Sequence, residues 1–120
     1  MASTTTSPLA QAYLRFLQLA QAIDGHPDLP QLDANERALL EALALDWHNG
    51  TPMTVMQAMA LKHLGSPATL HRRISRLRKL GMIEPLEDEH DTRIKRLMLT
   101  ATARSYFEQM GETLRTAIAK

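Results

Sequence analysis

The chain contains no cysteine, which excludes a disulfide framework, zinc–thiolate centres and thiol redox sensing. Aromatic residues are scarce, at 4% of 120 positions, so a stacking platform for single-stranded nucleic acid is not expected. No apolar run reaches the roughly 18 residues of a membrane span, and no membrane partner is expected. The five glycines are scattered as helix stops and form no phosphate-binding loop. His26, His48, His63, His71 and His90 show no i,i+4 pairing on one helix and no metal-ligand motif. The serines have no base with an orienting carboxylate nearby in sequence. No metal, cofactor or catalytic residue is therefore expected, and the chain does not read as an enzyme. Carboxylates near His90 keep a zinc-sensing variant open. The opening residues, Met1 to Ser7, are polar and uncharged without an apolar signal core. They read as a flexible tail, with the cytoplasm as the expected compartment.

What is present is an ordinary globular balance, 44% apolar and 22% charged, which implies one compact domain over residues 8–120. The formal net charge of +1 conceals a segregation. Residues 1–61 carry two bases, Arg15 and Arg37, against six acids, whereas residues 62–83 hold six bases and no acid. A basic stripe on one element of a nearly neutral protein is the footprint of a polyanion-binding face. The alternative for a basic run alone is a solvated helix face.

Leu9, Tyr13, Phe16, Leu17, Ala20 and Ile23 have helical spacing after a Ser7-Pro8 start. Asp24 to Pro30 then forms a connector. A second helix opens at Asp33 with Glu36 as capping-box partner. It buries Leu39, Leu40, Leu43 and Trp47 and stops at Asn49-Gly50. Thr51-Pro52-Met53 suits a very short strand. Thr54 and Gln57 open a short helix expected to reach Leu64, with Val55 and Met59 inward. Ser66-Pro67 restarts a helix at once, running to Leu80 and stopping at Gly81. Two helices joined so tightly read as helix-turn-helix. Met82 to Leu86 and Ile94 to Leu99 look like strands joined by a polar hairpin loop. Thr100 caps a last helix carrying Ala103, Tyr106, Phe107, Met110, Leu114, Ala117 and Ile118, with Gly111 costing roughly 1 kcal/mol relative to alanine. The expected class is mainly α with a small β-hairpin wing, a winged helix with a further helix at each end.

On a wheel of about 100° per residue, Leu70, Ile74 and Leu77 share the inward face of the helix over 66–80. The opposite side carries Ala68, Thr69, Arg72, Arg76 and Lys79, with His71 and Arg73 on the margins. Small residues near the start permit close approach to a major groove, with Ser66 as cap. Arg72 is long enough to present two donors to guanine. Arg76 and Lys79 are better placed for phosphates, which position a helix without reading sequence. In the wing over 84–97, the acidic tip is followed by Arg93, Lys95 and Arg96. Asp91 is expected to fold back and orient a neighbouring arginine while Arg93 points into the minor groove. The alternative is a solvated Asp91–Arg93 pair of little weight.

Over roughly residues 33–110 the chain resembles the MarR family of winged-helix transcription factors. The resemblance rests on Ser66-Pro67-Ala68-Thr69, on Leu77-Arg78-Lys79-Leu80-Gly81-Met82-Ile83-Glu84, and on Asp91-Thr92-Arg93 followed by Leu99-Thr100. The family's wing reads Asp-Arg-Arg before a strand and Leu-Thr; Thr92 departs from it. Gly65 directly before Ser66 and the acidic run Glu87-Asp88-Glu89 are further departures. The resemblance implies a homodimer with intertwined terminal helices, here 8–24 and 101–118, flanking a DNA-binding lobe over 33–100. The implied interface uses Leu9, Tyr13, Phe16, Leu17, Ala20, Tyr106, Phe107, Met110, Leu114 and Ile118. The implied activity is sequence-specific binding of double-stranded DNA at a pseudo-palindromic operator, as a transcriptional regulator of the repressor kind. The chain ends at Lys120, short of the family's final dimerisation helix, so no small-molecule effector is assigned. Two other readings stay open: a winged helix used for protein–protein contact, and a plasmid or phage protein for replication or partition.

Overall fold

The computed structural model describes residues 6–119, so most of the tail read over 1–7 lies outside the described residues. Two compact units are formed, one of Leu32–Arg104 and one of the segment up to Gln31 with Ser105 onward.

In the first unit, helix α2 (Ala34–His48) starts as its sequence dictates. The Asp33 carboxylate accepts the Glu36 amide at 2.7 Å, and the Glu36 carboxylate accepts the Asp33 amide at 2.9 Å. This reciprocal box satisfies two donors that a helix start leaves unpaired. Leu39, Leu40 and Leu43 are buried. Trp47, expected to be inward, is only half-buried in the last turn before the Asn49 cap.

Helix α3 (Val55–Met59) opens with the Thr54–Gln57 box but is shorter than expected. The chain tightens after Met59, and Lys62–Leu64 forms a separate 3-10 turn. Bonds from the Leu61 amide to Ala58 and from the Leu64 amide to Leu61 replace the α-helical pattern. Ala58 is the buried residue, while Val55 and Met59 are half-buried. In five residues, the smallest side chain takes the inward position.

Gly65 adopts φ +147° and ψ 176°, a region essentially restricted to glycine. A Cβ there would also lie 3.2 Å from both Arg73 Nη1 and Thr69 Cγ2. The immediate junction of Gly65 with Ser66 is thus a requirement of the tight turn. Helix α4 (Pro67–Lys79) follows, with Ser66 Oγ accepting the Thr69 amide at 3.2 Å and Leu70, Ile74 and Leu77 buried.

The wing consists of β1 (Ile83–Glu87) and β2 (Lys95–Leu99), antiparallel, with Ile83 opposite Leu99 and Glu87 opposite Lys95. The expected strand at 51–53 reduces to a single bridge, Thr54 to Arg96, beside a 2.8 Å bond from the Leu97 amide to the Met53 carbonyl. Pro52 has no amide hydrogen to extend that pairing.

In the other unit, α1 (Pro8–Asp24) is capped by Ser7, whose hydroxyl accepts the Ala10 amide at 3.1 Å. Helix α5 (Ala101–Ile118) continues through Gly111 and crosses from one unit to the other at Ser105. Arg15 donates to the Ala117 carbonyl, and the Tyr106 hydroxyl donates to Asp24 at 3.0 Å. These two bonds show that α1 and this part of α5 run antiparallel. No residue of α1 is buried.

Candidate nucleic-acid interface

The side chains expected along α4 differ in exposure and in partners. Ser66, Ala68, His71, Arg72, Arg76 and Lys79 are exposed, and Thr69 and Arg73 are half-buried. Arg72 makes no hydrogen bond or ion pair among the described residues, so its fork of donors is available to a ligand. Arg73 is engaged: its Nη1 donates to the Leu64 carbonyl at 2.7 Å. That bond closes the turn in front of α4, a role that residue spacing could not reveal. Arg76 lies between these extremes. Its Nε meets a Glu36 carboxylate oxygen at 2.6 Å, while its side chain remains 56% exposed and that of Glu36 only 5%.

The wing shows the same division of labour. Asp91 receives Arg93 twice, Nε on Oδ1 and Nη2 on Oδ2, both at 3.0 Å, and accepts the Arg93 amide as well. Asp91 therefore does orient an arginine, and that arginine is Arg93, whose side chain stays 88% exposed. Lys95 pairs with Glu87 at 3.0 Å on the surface, a contact of little energetic weight.

Arg96 does more than its neighbours. Its Nε donates to Asp88 at 2.6 Å and its Nη1 to the Pro52 carbonyl at 2.9 Å. Asp88 in turn accepts the His90 and Asp91 amides. Two of the three acids at the wing tip are thus matched within the hairpin. Arg96 was visible as a basic residue, but its anchor lies 44 positions earlier, beyond the reach of local spacing.

These contacts set the protonation of the loop. The Arg96 hydrogen bond holds the Asp88 carboxyl below the usual carboxylate range, assisted by the His90 amide. The Arg93 side chain does the same for Asp91, and the pairing raises Arg93. A carboxylate with a depressed folded pKa stabilises fully above its unfolded value and loses that contribution as pH falls through the folded one. The wing loop is therefore expected to stay ordered from neutral pH down to about 4 and to loosen only below it. The His90 and Asp91 amide resonances, followed by NMR during acid titration, would check this; loss of order between pH 7 and 5 would contradict it.

Of the residues expected at an interface, Leu9, Tyr13, Leu114 and Ile118 are exposed, and Leu17 is 36% exposed. Phe16, Ala20, Phe107 and Met110 are half-buried. Tyr106 is 1% exposed, its surface already covered within its own chain. Among the described residues there is no group of three or more His, Asp or Glu able to hold a metal ion. No helix among them is long and apolar enough to cross a membrane.

No protein-family model and no curated protein matches the sequence. Solved structures do match. A probable transcriptional regulator from Pseudomonas aeruginosa aligns at 25% identity and a TM-score of 0.59, covering 91% of this chain and 75% of its own. MarR from E. coli, solved in complex with operator DNA, aligns at 15% identity and a TM-score of 0.59, over 92% of this chain and 71% of the other. BpsR from Bordetella bronchiseptica, whose DNA binding is regulated by 6-hydroxynicotinic acid, aligns at 23% identity and a TM-score of 0.53, over 91% and 72%. The helix-turn-helix and hairpin wing match the fold of these proteins, and the chain is a MarR-like winged helix.

Proposed function

We propose that the chain binds double-stranded DNA as a homodimer and regulates transcription, with α4 in the major groove and the wing at the minor groove. The observation that carries this reading is the face of α4. Six bases and no acid lie within residues 62–83, and Arg72 stands exposed and unpartnered near the small residues Ala68 and Thr69. Arg93, fixed by Asp91 yet almost wholly exposed, supplies a second cationic point. The likeness to MarR in complex with operator DNA supports the same reading.

Dimerisation is supported by α1. Its Leu9, Tyr13 and Leu17 recur every four residues and are 84%, 60% and 36% exposed, a continuous apolar stripe that water covers in one chain. A second copy of the chain would cover it and present two α4 helices to a symmetric site. A dimer seated across both half-sites occludes that stretch of duplex, which favours repression. A small-molecule effector, as 6-hydroxynicotinic acid is for BpsR, is not assigned.

Fluorescence anisotropy on a random duplex across a salt series tests the reading. Wild-type binding should fall steeply with salt as counterions return. On a selected operator, Arg72→Ala should cost about 1–3 kcal/mol and relax preference at one base pair. Equal losses on operator and random DNA would assign Arg72 to phosphate alone. Arg93→Ala should weaken preference for a narrow, A·T-rich minor groove. No wild-type binding at low salt would turn the assignment to a protein partner.

A further inference from the structure

Among the described residues, Glu36 is the acidic side chain that forms an ion pair with a base of α4, and it is almost fully buried, 4% exposed as a residue. Both of its oxygens are used: Oε1 accepts the Asp33 amide at 2.9 Å and Oε2 takes Arg76 Nε at 2.6 Å. A carboxylate pinned by the α2 capping box cannot follow a mobile arginine outward. Arg76 is instead held at its Nε edge while its side chain as a whole stays 56% exposed. Asp33, Glu36 and these three arginines line a common crevice.

We propose that Glu36 is a positioning residue that holds Arg76 with its charge cancelled, so that the pair restrains sequence-independent binding to DNA. This rests on the DNA-binding reading above. Non-specific affinity is set by how many phosphates the protein's cations neutralise. A guanidinium already matched by a buried carboxylate displaces few counterions, whereas an unmatched one at the same place displaces about one. The residue that provides the restraint lies outside α4, so the outer face of α4 keeps no acid of its own while one of its bases is silenced from α2. Arg72 has no such counter-charge, and the contrast divides α4 into a reading end and a damped end.

The test is Glu36→Gln. Glutamine retains a side-chain oxygen for the Asp33 amide, since the capping box accepts Gln at this position, and removes the charge. Circular dichroism would confirm that the variant is folded. On a random duplex, Glu36→Gln should bind several-fold more tightly than wild type at low salt, with the slope of log affinity on log salt steeper by about 0.9. In an Arg76→Ala background the same substitution should have no such effect. Unchanged affinity and slope in Glu36→Gln would overturn the proposal, and so would a gain of equal size in the Arg76→Ala background, which would make Glu36 a diffuse negative charge. Absence of wild-type binding to any duplex would instead remove the DNA-binding reading, and this inference with it.

Discussion

Replacing Tyr13 and Leu17 together by glutamate is expected to leave the protein monomeric at tens of micromolar and to lower its affinity for a two-half-site duplex by about a hundredfold or more. The two residues lie one helical turn apart on the exposed stripe of α1. Four negative charges brought together across a two-fold axis repel, and the apolar area that would favour pairing is lost at the same time. Because α1 has no buried residue, the substitutions remove little core packing and each chain should fold as before. The loss of affinity follows from uncoupling two half-sites whose binding a dimer makes intramolecular. Sedimentation velocity would separate the outcomes. A wild-type protein that sediments as a monomer, or a variant that remains dimeric, would reject the α1 stripe as a dimer surface.

Leu70→Ala is expected to destabilise the fold by about 2–5 kcal/mol, a large share of the roughly 5–15 kcal/mol of a typical domain. Leu70 is 0% exposed beneath the first turns of α4, where its Ser66-bonded amide begins the helix at 2.8 Å. Truncation leaves a cavity under the end of α4 that is proposed to read DNA. Arg72→Ala, two residues on but at the surface, should change stability little. Urea denaturation of the two variants side by side would show the contrast. A Leu70→Ala loss below about 1 kcal/mol would mean that α4 is held chiefly by other contacts.

Both predictions rest on elements that are legible in the amino-acid sequence, and the reasons are local. Helix starts at Asp33 and Thr54 are written in a cap and its partner three residues on, and those at Ser7 and Ser66 in a cap followed by proline, so short-range geometry decides them. The inward face of α4 follows from the spacing of Leu70, Ile74 and Leu77. The end of α3 was not legible, because nothing in Ala60-Leu61 forbids a helix; the tight bonds that break it depend on where α4 must begin. The fates of the basic residues were hidden for a similar reason. Arg72, Arg73 and Arg76 look alike in sequence, yet one is unpartnered, one closes a turn at Leu64 and one meets Glu36, forty positions away. Charge counting finds such a face but cannot assign its members, because each partner is chosen by the tertiary fold.

The Arg96 bridge has a mechanical corollary. One guanidinium clasps the base of the hairpin loop through Asp88 and the backbone of the 51–53 turn through Pro52. The wing is therefore not a free flap hinged on two strands but a braced lever, and the turn that follows α2 is its fulcrum. The loop that carries Arg93 is thus tethered to a stretch of chain that itself carries no basic residue.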